Sequence, residues 1–224
     1  MKTKELRWLF LAAVATICVK GFVGERANLG VSAGWTNGRY SFGGGTAPWA
    51  LAFALVVIGL YLLLMYSSPA VLGEPLPGVF RRFVAFWLDF MLAIMAVAPI
   101  LGILPALTEW RRTGTFQWNF ERTTQAPGDW LVATIGVTLS FAALAFYYVL
   151  PLVRGKPSPG SCMLGYQIIP EEGTTLGLRT ALLRTLLGFI AACAAWLAPF
   201  VARDRKKGQF WLDKVFGTRA VRLS

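Results

Sequence analysis

From Trp49 to Tyr66 the chain runs for 18 residues without a charged side chain, and an aromatic residue stands at each end. A helix of that length matches the hydrocarbon core of a bilayer, where only helices and closed barrels satisfy every backbone polar group. Trp130 to Val153 is likewise uncharged, and Phe83 to Leu107 carries a single charge, Asp89. Pro99 and Pro105 fall in the second half of that third run and are expected to kink it. Trp8 to Val23, behind Lys2, Lys4 and Arg7, reads as an uncleaved anchor. Val31-Ser32-Ala33 lies too far downstream for a signal-peptide cleavage site, and Ile17 is bulky where a lipobox needs a small residue. The fifth run, Ala181 to Val201, holds Arg184, is interrupted by Gly188 and ends at Pro199. Its uncharged part, Leu186 to Val201, has 16 residues, which is short for a full crossing.

Composition agrees. Hydrophobic residues make up 56% and charged residues 15%, against about 25% charged in soluble domains. That excludes a disordered chain and an ordinary soluble enzyme. The net charge of +11 comes from residues that flank apolar runs, so positive-inside topology and anionic lipid explain it better than nucleic acid does. With a cytoplasmic N-terminus and five crossings, basic residues divide 9 inside to 13 outside. If the fifth run turns back or lies in the interface, they divide 16 to 6. An N-out chain with five crossings gives 13 to 9. The positive-inside rule favours the second arrangement. The expected fold is therefore all-α: a polytopic transmembrane bundle of four spans plus a fifth re-entrant or interfacial helix. Residues 1–78 form an N-terminal transmembrane hairpin, and 79–224 a membrane domain with a basic tail.

Between the spans, Gly24 to Pro48 is a polar, glycine-rich loop. Asn37-Gly38 between aromatic residues is a hairpin-turn signal. Gly43-Gly44-Gly45 reads as flexible loop, since it lacks the setting and the Lys-Ser/Thr of a phosphate loop. Leu164 to Ile169 and Thr218 to Leu223 read as short strands, and pairing them would require both on one membrane face. Glu171 and Glu172 read as a solvated turn.

The chain has no histidine. Its cysteines, Cys18, Cys162 and Cys193, are odd in number and show no metal-ligand spacing. No metal, cofactor or nucleophile–base pair is indicated, so no enzyme is expected. The informative residue is Asp89, seven residues into an apolar run and about 10 Å deep by helix rise. A carboxylate there costs about 2.5–3.5 kcal/mol on insertion scales, and such groups face protein or water and have a partner. Arg82, seven residues earlier on nearly the same face, and Arg184 are the candidate partners. Asp213 could pair with a cytoplasmic arginine or stand solvated at the membrane surface. Arg203, Arg205, Lys206 and Lys207 read as a lipid-headgroup anchor.

Three patches resemble the RDD family of bacterial membrane proteins, named for one arginine and two aspartates. Arg82-Phe-Val-Ala85-Phe-Trp-Leu-Asp89 is similar to the family's Arg-x-x-Ala-x-x-x-Asp. Ser158-Pro159-Gly160 with Leu164-Gly165-Tyr166-Gln167-Ile168-Ile169 resembles its Thr-Pro-Gly-Lys-x-x-Leu-Gly loop, with Arg184 following. Asp213-Lys214-Val215-Phe216-Gly217-Thr218 resembles its Asp-Arg-x-x-Gly-Thr ending. Ser161 replaces the family's basic residue and Leu212 its frequent histidine. The first two runs lie outside the resemblance. It implies a multi-pass protein of the bacterial inner membrane, in a family where some members look like sodium/proton antiporters. Two readings stay open. In one, Asp89 carries a proton or small cation such as sodium, with Arg82 and Arg184 setting its charge state. In the other, the charge pair is structural and the protein is a non-transporting scaffold or accessory subunit. Anionic lipid is the expected partner in both, with a homo-oligomer or another membrane protein as further partners.

Overall fold

The computed structural model describes residues 3–23, 29–67, 78–171, 175–193 and 211–223. Its helices are α1 (Thr3–Val23), α2 (Pro48–Tyr66), α3 (Val79–Leu101), α4 (Ile103–Thr113), α5 (Asp129–Val153), α6 (Pro159–Met163), α7 (Leu178–Cys193) and α8 (Trp211–Val215). Strands β1 (Gly30–Thr36), β2 (Arg39–Gly45) and β3 (Asn119–Arg122) form one antiparallel sheet, and β4 (Tyr166–Pro170) pairs with β5 (Thr218–Arg222) in another. The molecule is mostly helical but not all-α: hydrogen-bonded strands occupy three of the segments between helices and one after the last. Among the described residues, three stretches are long and apolar enough to cross a membrane: Pro48–Tyr66, Phe80–Thr113 and Asp129–Val153. The chain divides into two compact units, one drawn from Met1–Val14, Gly59–Met91 and Ala145–Ser224, the other from Ala15–Ile58 and Leu92–Leu144.

In the second of these units, Asn37 (φ 52°) and Gly38 (φ 73°) both take positive φ. That is the two-residue hairpin geometry expected of Asn-Gly, and it sets the pairing of Thr36 with Arg39. Gly43, Gly44 and Gly45 are buried in strand β2 and paired on both sides, which corrects the reading of a flexible loop. They are glycines because of close packing. A Cβ on Gly44 would meet the Gly30 carbonyl and the Pro105 ring at 2.6 Å, and one on Gly102 would strike the Gly45 backbone. Gly102 also separates α3 from α4, between the two prolines that the sequence marks as kinks. Asp129, at the start of α5, accepts from the Tyr40 hydroxyl (2.8 Å) and pairs with Arg122. Arg122 also reaches Glu109 (3.3 Å), lies over the Phe42 ring and ties the short edge strand β3 down. None of these acids carried a role in the sequence reading.

In the first unit, the strands expected at 164–169 and 218–223 do pair, Tyr166 with Arg222 through Pro170 with Thr218. Ala85, Tyr166 and Ala220 pack together beneath this ribbon, and Val149, Leu176 and Ala181 form a second apolar cluster. Phe86, Tyr148 and Phe189 bring α3, α5 and α7 together with ring centroids 5.0 to 5.5 Å apart. Buried Ala85 and Asp89, four residues apart, lie on one face of α3.

Candidate functional site

Asp89 is 3% exposed. Its carboxylate accepts three hydrogen bonds: from the Tyr147 hydroxyl on α5 (3.1 Å), the Ser158 hydroxyl (2.6 Å) and the Gly160 backbone N–H (2.7 Å). The local sequence builds the last two. Ser158 caps α6 and Pro159 follows at its first position, where a missing N–H costs nothing. Gly160 then presents its N–H to the acid at a distance no side chain would permit. A Cβ there would fall on the Ala85 carbonyl oxygen and 2.9 Å from the Asp89 carboxyl. Ser161, which stands where the resembled family has a basic residue, donates to the Ser158 carbonyl (2.9 Å) and brings no charge to the acid.

The arginines expected beside Asp89 are elsewhere. Arg82 pairs with Asp213, and Arg184 holds the same carboxylate at 2.7 Å and the Leu212 carbonyl at 3.2 Å. The Thr218 hydroxyl adds a 3.3 Å contact. Asp213 is fully buried, not solvated. The reason is geometric. Seven residues put Arg82 on the right face of α3 but about 10 Å along it from Asp89, whereas α8 brings Asp213 directly to the helix start. Among the described residues Asp89 makes no ion pair. Among the described residues the unit thus holds two buried acids in opposite surroundings, one between guanidinium groups and one among neutral donors. Arg82 keeps two donors, Nε and Nη2, buried without a hydrogen-bond partner among the described residues. Arg203, Arg205, Lys206 and Lys207 lie outside the described residues.

Tyr147, Ser158 and Gly160 were not singled out from sequence as partners of Asp89. Ser158 and Gly160 were visible as part of the Ser-Pro-Gly patch. Tyr147 carried no signal beyond a hydroxyl in an uncharged run. Cys162, on α6, is fully buried, and desolvation pushes its thiol up to about 12, with Arg7 pulling against it. We expect Cys162, with Cys18 and Cys193 replaced by serine, to react with a maleimide near pH 7 roughly a thousandfold slower than a free cysteine. Labelling should recover on denaturation, and rapid labelling of the folded protein would contradict this burial.

The family model described as RDD family matches residues 76–217, more than half of the chain. No curated protein and no solved structure matches.

Proposed function

The chain belongs to the RDD family, and from that premise we propose that it is a multi-pass membrane protein that moves a proton or small cation by way of Asp89. The observation that carries the reading is the division of labour between the two acids. The Asp213 carboxylate is engaged on both sides by guanidinium groups. A carboxylate held by two hydroxyls and an amide can exchange a proton for a cation without breaking an ion pair. Its oxygen-rich setting suits a hard monovalent ion or a proton, and intramembrane acids are functional candidates by default. Arg82 and Arg184 then serve Asp213, as a fixed structural lock, and not the transported species.

In this proposal the protein lies in the bacterial inner membrane and crosses it at α1, α2, α3–α4 and α5. The pairing of β4 with β5 supports a fifth run that enters and leaves by one face, because the segments on either side of it share an antiparallel ribbon. Residues 1–78 are an added hairpin, and the basic run 203–207 meets anionic headgroups.

The test is Asp89→Asn in proteoliposomes carrying a pH gradient. Cation-driven proton flux is expected in the wild type and should fall to background in the variant. Unchanged flux in the variant removes Asp89 from the mechanism. The rival reading, a non-transporting scaffold, is favoured by the Arg82–Asp213–Arg184 lock. It predicts no flux from wild type, a co-purifying membrane partner, and an Asp89→Asn effect on abundance alone.

A further inference from the structure

Tyr147, and the short helix that carries Gly160, each contact a residue that precedes the family-matched region. Tyr61, on α2, is 6% exposed and stacks on Tyr147, with centroids 5.0 Å apart and rings 23° from parallel. Its hydroxyl donates to the Tyr147 backbone carbonyl at 2.9 Å. In an α-helix that carbonyl would take the N–H of the residue four positions on. That residue is Pro151, inside α5, which has no N–H to give. Tyr61 therefore supplies the hydrogen bond that the proline withholds, on the same residue whose hydroxyl reaches Asp89.

The second contact is at the far end of α6. Arg7, on α1, donates from Nε to the Met163 carbonyl at 3.3 Å. A helix leaves its last carbonyls without intrahelical partners, and a cation there is favourable. The guanidinium has room because the next turn residue but one is Gly165, with φ of 70°, where a Cβ would sit 3.3 Å from Nη2. The other end of this five-residue helix supplies the Gly160 N–H to Asp89. Among the described residues, the titratable side chains around Asp89 are Tyr61, Tyr147, Tyr148, Cys162 and Tyr166.

We infer that Tyr61 and Arg7 are positioning residues of the Asp89 site, so that the two N-terminal helices complete a site whose acid lies in the family-matched region. This rests on the reading that Asp89 is the ion- or proton-carrying group. The N-terminal pair is thereby more than an anchor: α2 fixes where the Tyr147 hydroxyl points, and α1 fixes the short helix that presents Gly160.

The experiment is an infrared titration of the full-length protein in lipid, following the carboxyl band that disappears in Asp89→Asn. Tyr61→Phe keeps the ring and removes the hydroxyl, and Arg7→Gln acts through a separate element, so each checks the other should one fail to fold. Each is expected to change the proton-binding constant of Asp89 by about threefold to tenfold, the scale of one buried hydrogen bond. Tyr61→Phe combined with Tyr147→Phe should shift it by less than the sum of the two, since both act through one hydroxyl. An unmoved titration in both single variants overturns the inference. Proton flux, measured alongside, separates it from its premise: flux surviving Asp89→Asn sinks the transport reading while the titration still reports on the positioning.

Discussion

Asp213→Ala is expected to abolish accumulation of folded protein, the most severe effect of any single substitution considered. The carboxylate is fully buried between Arg82 and Arg184, whose side chains are 12% and 8% exposed. Removing one partner of a buried ion pair costs about 3–5 kcal/mol, because the remaining charge stays buried without compensation. Here two guanidinium groups lose their acid together. Arg82 already has two donors without a hydrogen-bond partner among the described residues, so its loss is not cushioned. Native domains have about 5–15 kcal/mol to lose in total. Fluorescence-detected size exclusion in detergent should show the monodisperse peak collapse for Asp213→Ala, and a clearly lowered melting temperature for Asp213→Asn. A wild-type melting temperature in both variants would mean that the triad bears no structural weight.

Gly160→Ala should also be damaging, for a different reason. Alanine is a good helix former, and by propensity alone the change would be harmless or helpful. The added methyl, however, would sit on the Ala85 carbonyl oxygen and against the Asp89 carboxyl. Overpacking a filled site costs about 1–3 kcal/mol, and more where backbone must move. Moving α6 away also withdraws the N–H and the Ser158 hydroxyl from the acid. We expect a melting temperature several degrees lower together with loss of the wild-type Asp89 titration. Ala85→Gly should fail to rescue it, since the obstacle is a backbone oxygen. Full rescue by that second substitution would show that side-chain volume, and not backbone approach, decides the site.

Several features of this site were open to sequence reasoning, and others were closed to it for definable reasons. The cost of an acid in an apolar run implied that Asp89 faces protein or water, and the Asn37-Gly38 turn and the β4 and β5 segments were readable because turn chemistry and alternation are local. Gly43-Gly44-Gly45 misled, because a glycine run reads as flexible when nothing shows what presses on it. Here the neighbours are Pro105, Phe120 and the Gly30 carbonyl. The arginine assignment misled in the same way. Arg82 is the charge nearest to Asp89 in sequence, but nearness along a helix is not nearness between side chain tips. Pro151 stands unremarked in an uncharged run, and nothing near it in the sequence announces that Tyr61, 86 residues before Tyr147, fills the acceptor it leaves open.

Hydropathy alone determined that this chain belongs in lipid, and the spaced Arg, Asp and Ser-Pro-Gly patches alone were enough to suggest its family, because both are properties of the chain read in order. Only the tertiary structure decided which acid the arginines neutralise and which is left among neutral donors. The physical reason is that a helix pattern fixes the face a residue occupies, while its partner depends on the rotation and register of other helices, and those are set by the packing of the folded unit as a whole.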